Sequence, residues 1–203
     1  MVVEESLRER LVDAGVELVL TEGTASVGLR EIARRAGVSH GAPRRYFPTH
    51  RALLSAIAHR GFEELGARFA AATAGSAAPH VELAVLARVY VTYALERRGM
   101  FELMFRHDLL DSGEQRGTPD GPRLREATLP MFQRFTELVA RCRAQALEPA
   151  GAVTAAALWA NLHGIAQLRS WGSLQLALGD DGFNSHDRLI EAALDAHLGP
   201  MTS

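Results

Sequence analysis

Apolar residues return every three or four positions along almost the whole chain, and no stretch replaces them with a convincing apolar–polar alternation. That period belongs to helices. Leu7, Leu11, Val12, Leu18 and Val19 form one stripe over 5–22, closed by the turn signal Glu22-Gly23-Thr24. A short helix reads from Leu29 to Ala36 and stops at Gly37. Ser39 then offers its hydroxyl to the free amides of a third helix over 40–47, which Pro48 ends. Thr49 caps a fourth, whose Leu53, Leu54, Ile57, Phe62, Leu65 and Phe69 share one face. The stretch Thr73 to Pro79, TAGSAAP, reads as a loop. Further helices are predicted over 80–97, 100–110, 122–147, 149–171 and 185–198, about nine in all. The polar, glycine-rich segment Asp111 to Gly121, DSGEQRGTPDG, reads as a mobile loop. The pattern predicts an all-α fold without tandem repeats.

Several classes of function find little support. A single cysteine, Cys142, cannot close an internal disulfide, which suits a reducing cytosol. The charged N-terminus, MVVEESLRER, carries no export signal. Asn161, His163 and Gln167 interrupt the most apolar stretch, 150–168, so it reads as a buried helix rather than a membrane span. No nucleophile elbow, zinc-protease, phosphate-loop or paired-cysteine spacing occurs. The eight histidines are scattered, and adjacent His107 and Asp108 point apart on a helix. No catalytic residue, cofactor or metal is therefore expected.

Charge is where the chain departs from the ordinary. It has 22 basic and 24 acidic residues overall, yet Gly23 to Arg60 holds seven arginines against the single acid Glu31. That window is +6 and the remainder −8, which sum to the chain's −2. The charge coincides with two short helices joined by a glycine turn, the helix-turn-helix arrangement. Ala33 is small where the helices approach, Gly37 permits the turn, and Val38 fills the angle between them. On a wheel for 40–46, His40, Gly41, Arg44 and Arg45 share one arc, with Ala42, Pro43 and Tyr46 on the opposite, packing arc. Arginines so placed fit the major groove, where a guanidinium donates two bonds to guanine and displaces phosphate counterions. Gly41 costs a helix up to about 1 kcal/mol relative to alanine, which suits a close approach to DNA.

The segment LREIARRAGVSHGAPRRYFPTHRALL, and most of 5–70 around it, resembles the DNA-binding region of TetR/AcrR-type bacterial regulators. The resemblance implies an N-terminal three-helix DNA-binding domain over 1–50. Helix four, 50–72, connects it to a helical effector-binding and dimerisation domain over 51–203. It implies that Arg30, His40, Gly41 and Arg45 face bases and that Arg44, Tyr46 and His50 lie near phosphates; Ser39 joins them as an expected DNA-binding residue. Two positions depart from the pattern: Gly28 stands where Ser or Thr usually caps the second helix, and His50 stands where lysine is common.

The remainder is less sharply marked. Met100, Phe101, Met104 and Phe105 form one bulky stripe, and Leu129, Phe132 and Phe135 another. Either an ordinary core or the lining of an effector pocket gives that pattern; a pocket so lined would take a small apolar or aromatic effector. The segment ALWANLHGIAQL, Ala157 to Leu168, is apolar nearly all round and reads as buried on every side. Its Trp159, His163 and Gly164 resemble the WHG subgroup of such C-terminal domains, and His163 fits a structural residue or an effector contact. By the same resemblance the last two helices pair with a second copy as a four-helix bundle. The expected function is a ligand-responsive repressor of a palindromic double-stranded DNA operator. A helical ligand-binding or dimerisation protein that does not read DNA is the alternative, and a small-molecule enzyme a more distant one.

Overall fold

The computed structural model describes residues 6–75, 78–110, 124–143, 150–179 and 185–199, and among them every regular element is helical. Helix α1, Leu7–Glu22, opens on a reciprocal cap that the sequence reading passed over: Glu9 N–H donates to the Ser6 hydroxyl and Ser6 N–H to the Glu9 carboxylate. A 3-10 turn at Thr24–Ser26 leads to α2, Leu29–Arg35. Gly28 gives α2 no side-chain cap, as its lack of a side chain predicts. Gly37 holds the turn after α2 at φ +69°, a conformation that favours glycine.

Helix α3 departs from expectation. It spans only Pro43–Tyr46; its N-cap is Ala42, and Ser39 makes no side-chain cap. A turn closed by Ala42 N–H on the Ser39 carbonyl precedes it. Proline has no amide to leave unsatisfied and a φ already set for a helix, so the helix starts there rather than at Gly41. Tyr46, assigned to the packing arc, is exposed, while Pro43 is buried. Helix α4, His50–Thr73, begins as predicted on Thr49, whose Oγ1 accepts from Ala52 N–H.

Helix α5, Pro79–Glu96, is followed by two helices where one was predicted: α6, Arg98–Met104, and α7, His107–Leu110. The break falls at Phe105–Arg106, where the Arg106 guanidinium grips both carboxylate oxygens of Asp108. Residues two apart do not face each other on a helix, so this pairing belongs to a turn. Helices α8, Leu124–Cys142, and α9, Ala150–Ser170, match their predicted places. Helix α10, Ser173–Leu178, was not anticipated, and α11 is Ser185–Leu198. The segment Asp111 to Gly121 lies outside the described residues, as do 122–123 and 144–147. No described helix is long and apolar enough to cross a membrane.

Packing divides the chain into two units: Met1–Glu64 with Arg97–Thr128, and Leu65–Glu96 with Leu129–Ser203. In the first, Leu11, Leu18, Ile32, Leu53 and Ile57 are fully buried, and α6 closes against α1 and the 3-10 turn. Gly61 on α4 lets α6 approach, since a Cβ there would lie within 3 Å of Met100 and Met104. In the second unit α9 lies on α5 and α11 through Ala155, Leu158, Leu162, Ile165 and Ala166. Its opposite face, with Val153, Ala156 and Ala160, is open in the single chain. The sequence expectation of burial on every side is thus corrected: absence of charge says a face can be covered, not that this chain covers it.

Candidate nucleic-acid interface

Six of the seven arginines of the basic window divide into two sets. Arg34 donates to both oxygens of Glu31, and Arg35 is held by Glu17, Glu22 and Glu31. The Arg34 guanidinium, with help from Arg35, holds the Glu31 carboxyl down at about 2. Arg60 faces Glu63 and Asp13. By contrast Arg30, Arg44 and Arg45 are exposed and form no ion pair among the described residues. The net charge of the window therefore overstates its reach: Arg35 is largely covered and held by three carboxylates, and exposed Arg34 is paired with Glu31.

Around the uncommitted cations stand Ser39, His40, Gly41 and Tyr46, all exposed. At the head of α4, His50 places Nε2 2.5 Å from the Val27 carbonyl oxygen. A carbonyl only accepts, so Nε2 carries the proton and His50 ties α4 to the connector before α2. The start of α2, short α3, the turn before it and the start of α4 together carry the eight residues expected at DNA.

The residues expected to bind effector fall into two groups. Met100, Phe101 and Met104 are sealed in the core of the first unit, with half-buried Phe105 stacked edge-on against Phe62 at 5.6 Å. Phe132, Trp159 and His163 form a row in the second unit, with ring centroids 6.0 and 5.8 Å apart. Sequence reasoning missed the member that joins this row, Tyr90 of α5. Trp159 Nε1–H donates to its hydroxyl at 3.1 Å, and that hydroxyl lies 2.8 Å from His163 Nδ1. The Tyr90 hydroxyl thus accepts from the indole and pairs with His163 Nδ1. A buried tyrosine needs a hydrogen-bond partner, which is the signal that could have directed attention to it.

Burial pushes the Tyr90 phenol well above its usual range and lowers the His163 pKa. The unfolded chain protonates this histidine near pH 6.5, before the folded one does, so acidification through that value favours unfolding. Thermal melting should fall more in the wild-type chain than in His163→Gln as pH drops from about 7.5 to about 5.5. Equal losses in both would show that His163 contributes nothing to the acid side.

A groove of about 350 Å3 lies elsewhere in the second unit, lined by Val81, Ala84, Val85, Arg88, Glu191, Leu194 and Asp195. Among the described residues no group of histidine, cysteine, aspartate and glutamate is placed to hold a metal ion. Burial raises the Cys142 thiol to about 11, so it stays protonated near neutrality and is a poor nucleophile.

Comparison with known proteins agrees with this geometry. Residues 11–57 match the family model described as bacterial regulatory proteins, tetR family. Residues 83–196, more than half the chain, match the model described as tetracyclin repressor-like, C-terminal domain. An uncharacterized HTH-type transcriptional regulator of Mycobacterium tuberculosis is 39% identical over 62 residues, 30% of this chain and 31% of the relative. The chain thus spans about a third of the length of the curated relatives it matches. Among solved structures, a protein of unknown function from Rhodococcus sp. RHA1 is 28% identical with TM-score 0.73, covering 97% of this chain and 96% of its own. The multidrug binding protein EbrR, complexed with imidazole, is 25% identical with TM-score 0.57 and 98% coverage of both chains. The TetR transcriptional regulator SCO0520 from Streptomyces coelicolor is 25% identical with TM-score 0.53, covering 96% and 99%. With a helix-turn-helix whose free arginines face outward and family matches over both parts of the sequence, the chain belongs to the TetR family of bacterial regulatory proteins.

Proposed function

We propose that this protein is a ligand-responsive transcriptional repressor, acting in the bacterial cytoplasm on nucleoid DNA. It binds a palindromic operator as a homodimer and is released by a small apolar or aromatic effector. The observation that carries the DNA-binding reading is the segregation of charge: Arg30, Arg44 and Arg45 stand exposed and form no ion pair among the described residues, while Arg34 and Arg35 are paired with carboxylates of the fold. Each dimer would set two copies of α3 in successive major grooves about one helical turn apart.

The division of labour is 1–50 for reading, α4 as connector and 51–203 for effector and dimer. α4 contributes to both packing units, which supports it as the element an effector would bias. The effector acts only through different affinities for the reading-competent and released states. The row of Phe132, Trp159 and His163 supports an aromatic or apolar effector in the second unit, and EbrR, described as a multidrug binding protein, supports the same class.

The open face of α9, with α11, is the proposed dimer surface. No charged side chain occurs from Ala150 to Leu168, and the small exposed residues Ala156 and Ala160 permit close helix approach. Ala160→Glu should convert the dimer to monomer in sedimentation; an unchanged dimer would place the interface elsewhere.

The function itself is tested by footprinting the purified protein on DNA flanking its own gene, with Arg44→Ala/Arg45→Ala as control. A protected palindrome lost in the control supports the repressor. Absence of protection by a folded dimer, there and across a genomic binding selection, favours a helical ligand-binding protein that does not read DNA.

A further inference from the structure

Two arginines outside the basic window reach into the reading module from α1. Arg10 Nη2 donates to the carbonyl of Ala36 at 2.7 Å. Ala36 is the C-cap of α2, so the guanidinium satisfies an end carbonyl and sits at the negative pole of that helix. Arg8 places its guanidinium carbon 5.3 Å from the centroid of the Phe47 ring. Phe47 is 2% exposed and directly ends α3. The two arginines therefore hold the reading segment, 37–47, at its first and last turns.

We propose that Arg8 and Arg10 are positioning residues for DNA reading, fixing the orientation of α3 without touching DNA themselves. The need for them follows from the segment. α3 has four residues, far fewer than a helix needs to persist by its own hydrogen bonds. Its N-cap supplies no side-chain bond, and the turn before it is closed by Ala42 N–H on Ser39. A helix this short keeps a fixed angle only if it is held from outside. Pro43, buried, holds the middle; Arg10 and Arg8 hold the ends. Neither arginine forms an ion pair among the described residues; Arg8 acts on Glu9 only through its field. Arg35 grips in the opposite direction, from α2 back to Glu17 of α1, and the two helices are thereby pinned reciprocally.

The competing role for a cation at this place is a phosphate anchor, and salt separates the two. A lost phosphate contact lowers the slope of log affinity against log salt by about one, whereas a lost positioning contact leaves the slope unchanged. This inference rests on the proposed DNA reading, so one arm of its test is independent of DNA. Full-length Arg10→Met, Arg10→Lys and Arg8→Met are compared with wild type. The measurements are anisotropy on the footprinted operator and a scrambled duplex across a salt series, and amide hydrogen exchange of 38–47 in the free protein. Arg10→Met is expected to weaken operator binding by about tenfold, the scale of one charged hydrogen bond. The scrambled duplex should change little, the slope should hold, and exchange over 38–47 should quicken while the core of α4 stays protected. Arg8→Met should act in the same sense, and Arg10→Lys should recover most of the loss because lysine can still donate to Ala36. A reduced salt slope with unaltered exchange would make them phosphate anchors and overturn the proposal, as would unaltered operator affinity. If wild type protects no DNA, the repressor reading fails while the exchange arm still decides whether the arginines order α3.

Discussion

Arg45→Ala is expected to abolish operator selectivity while leaving the fold intact. Its guanidinium is exposed, makes no ion pair among the described residues and lies in the last turn of α3, so nothing in the folded chain depends on it. A bidentate contact to a guanine edge carries about 1–3 kcal/mol of discrimination, and a dimer loses it in both half-sites. The expected loss is therefore about 30-fold to about 10⁴-fold on the operator, with little change on scrambled DNA. Arg44→Ala should weaken both duplexes alike and lower the salt slope. Equal losses on both duplexes in both variants would show the two roles are wrongly assigned. Arg35→Ala makes the useful contrast. Its side chain is only 19% exposed and joins three carboxylates, two from α1 and one from α2, so its loss should lower melting temperature before it lowers selectivity.

The largest effect on stability is expected from Gly99→Ala. A Cβ at Gly99 would stand 2.6 Å from the carbonyl oxygen of Val19, closer than real Cβ contacts come. That oxygen also accepts from Gly23 N–H at the end of α1, so it is fixed by the backbone on both sides. α6 would have to lift away from α1, at the scale of overpacking, about 1–3 kcal/mol or more. The close contacts at Gly15 and Gly61 differ, because Cβ atoms there meet side-chain atoms of Ile57, Met100 and Met104 and not backbone. Gly15→Ala and Gly61→Ala should therefore cost less than Gly99→Ala in a denaturant titration. The reverse order would mean that α6 yields more readily than α1.

What could be read in the sequence was what depends on near neighbours. Gly37, Thr49 and uncapped Gly28 sit where local backbone chemistry puts them, and the stripe of α1 and α4 is a matter of period. The start of α3 was misread because two start signals, Ser39 and Pro43, compete within four residues, and the residue with no amide prevails over the hydroxyl. α10 was missed because Leu174, Leu176 and Leu178 fall two apart, a spacing that matches no helical stripe. The arginine partners were only half legible. Glu31 lies three and four residues from Arg34 and Arg35 on the same helix, but Glu17 reaches Arg35 only because α1 and α2 cross. Tyr90 and His163, 73 residues apart, meet through packing that no local pattern encodes.

The packing division crosses the chain at Glu64/Leu65, Glu96/Arg97 and Thr128/Leu129. The packing unit that carries the proposed reader is accordingly not one stretch of gene. Its core is completed by α6, where Gly99 meets Val19 and Met100 and Met104 meet Gly61. A single recombination crossover between two such genes would unite α1 and α4 of one parent with α6 of another, whose contacts were selected against different helices. New operator preferences are thus more accessible by point substitution on the exposed arc of α3 than by exchange of heads, and a chimaera would have to import Arg98–Met104 along with the reader.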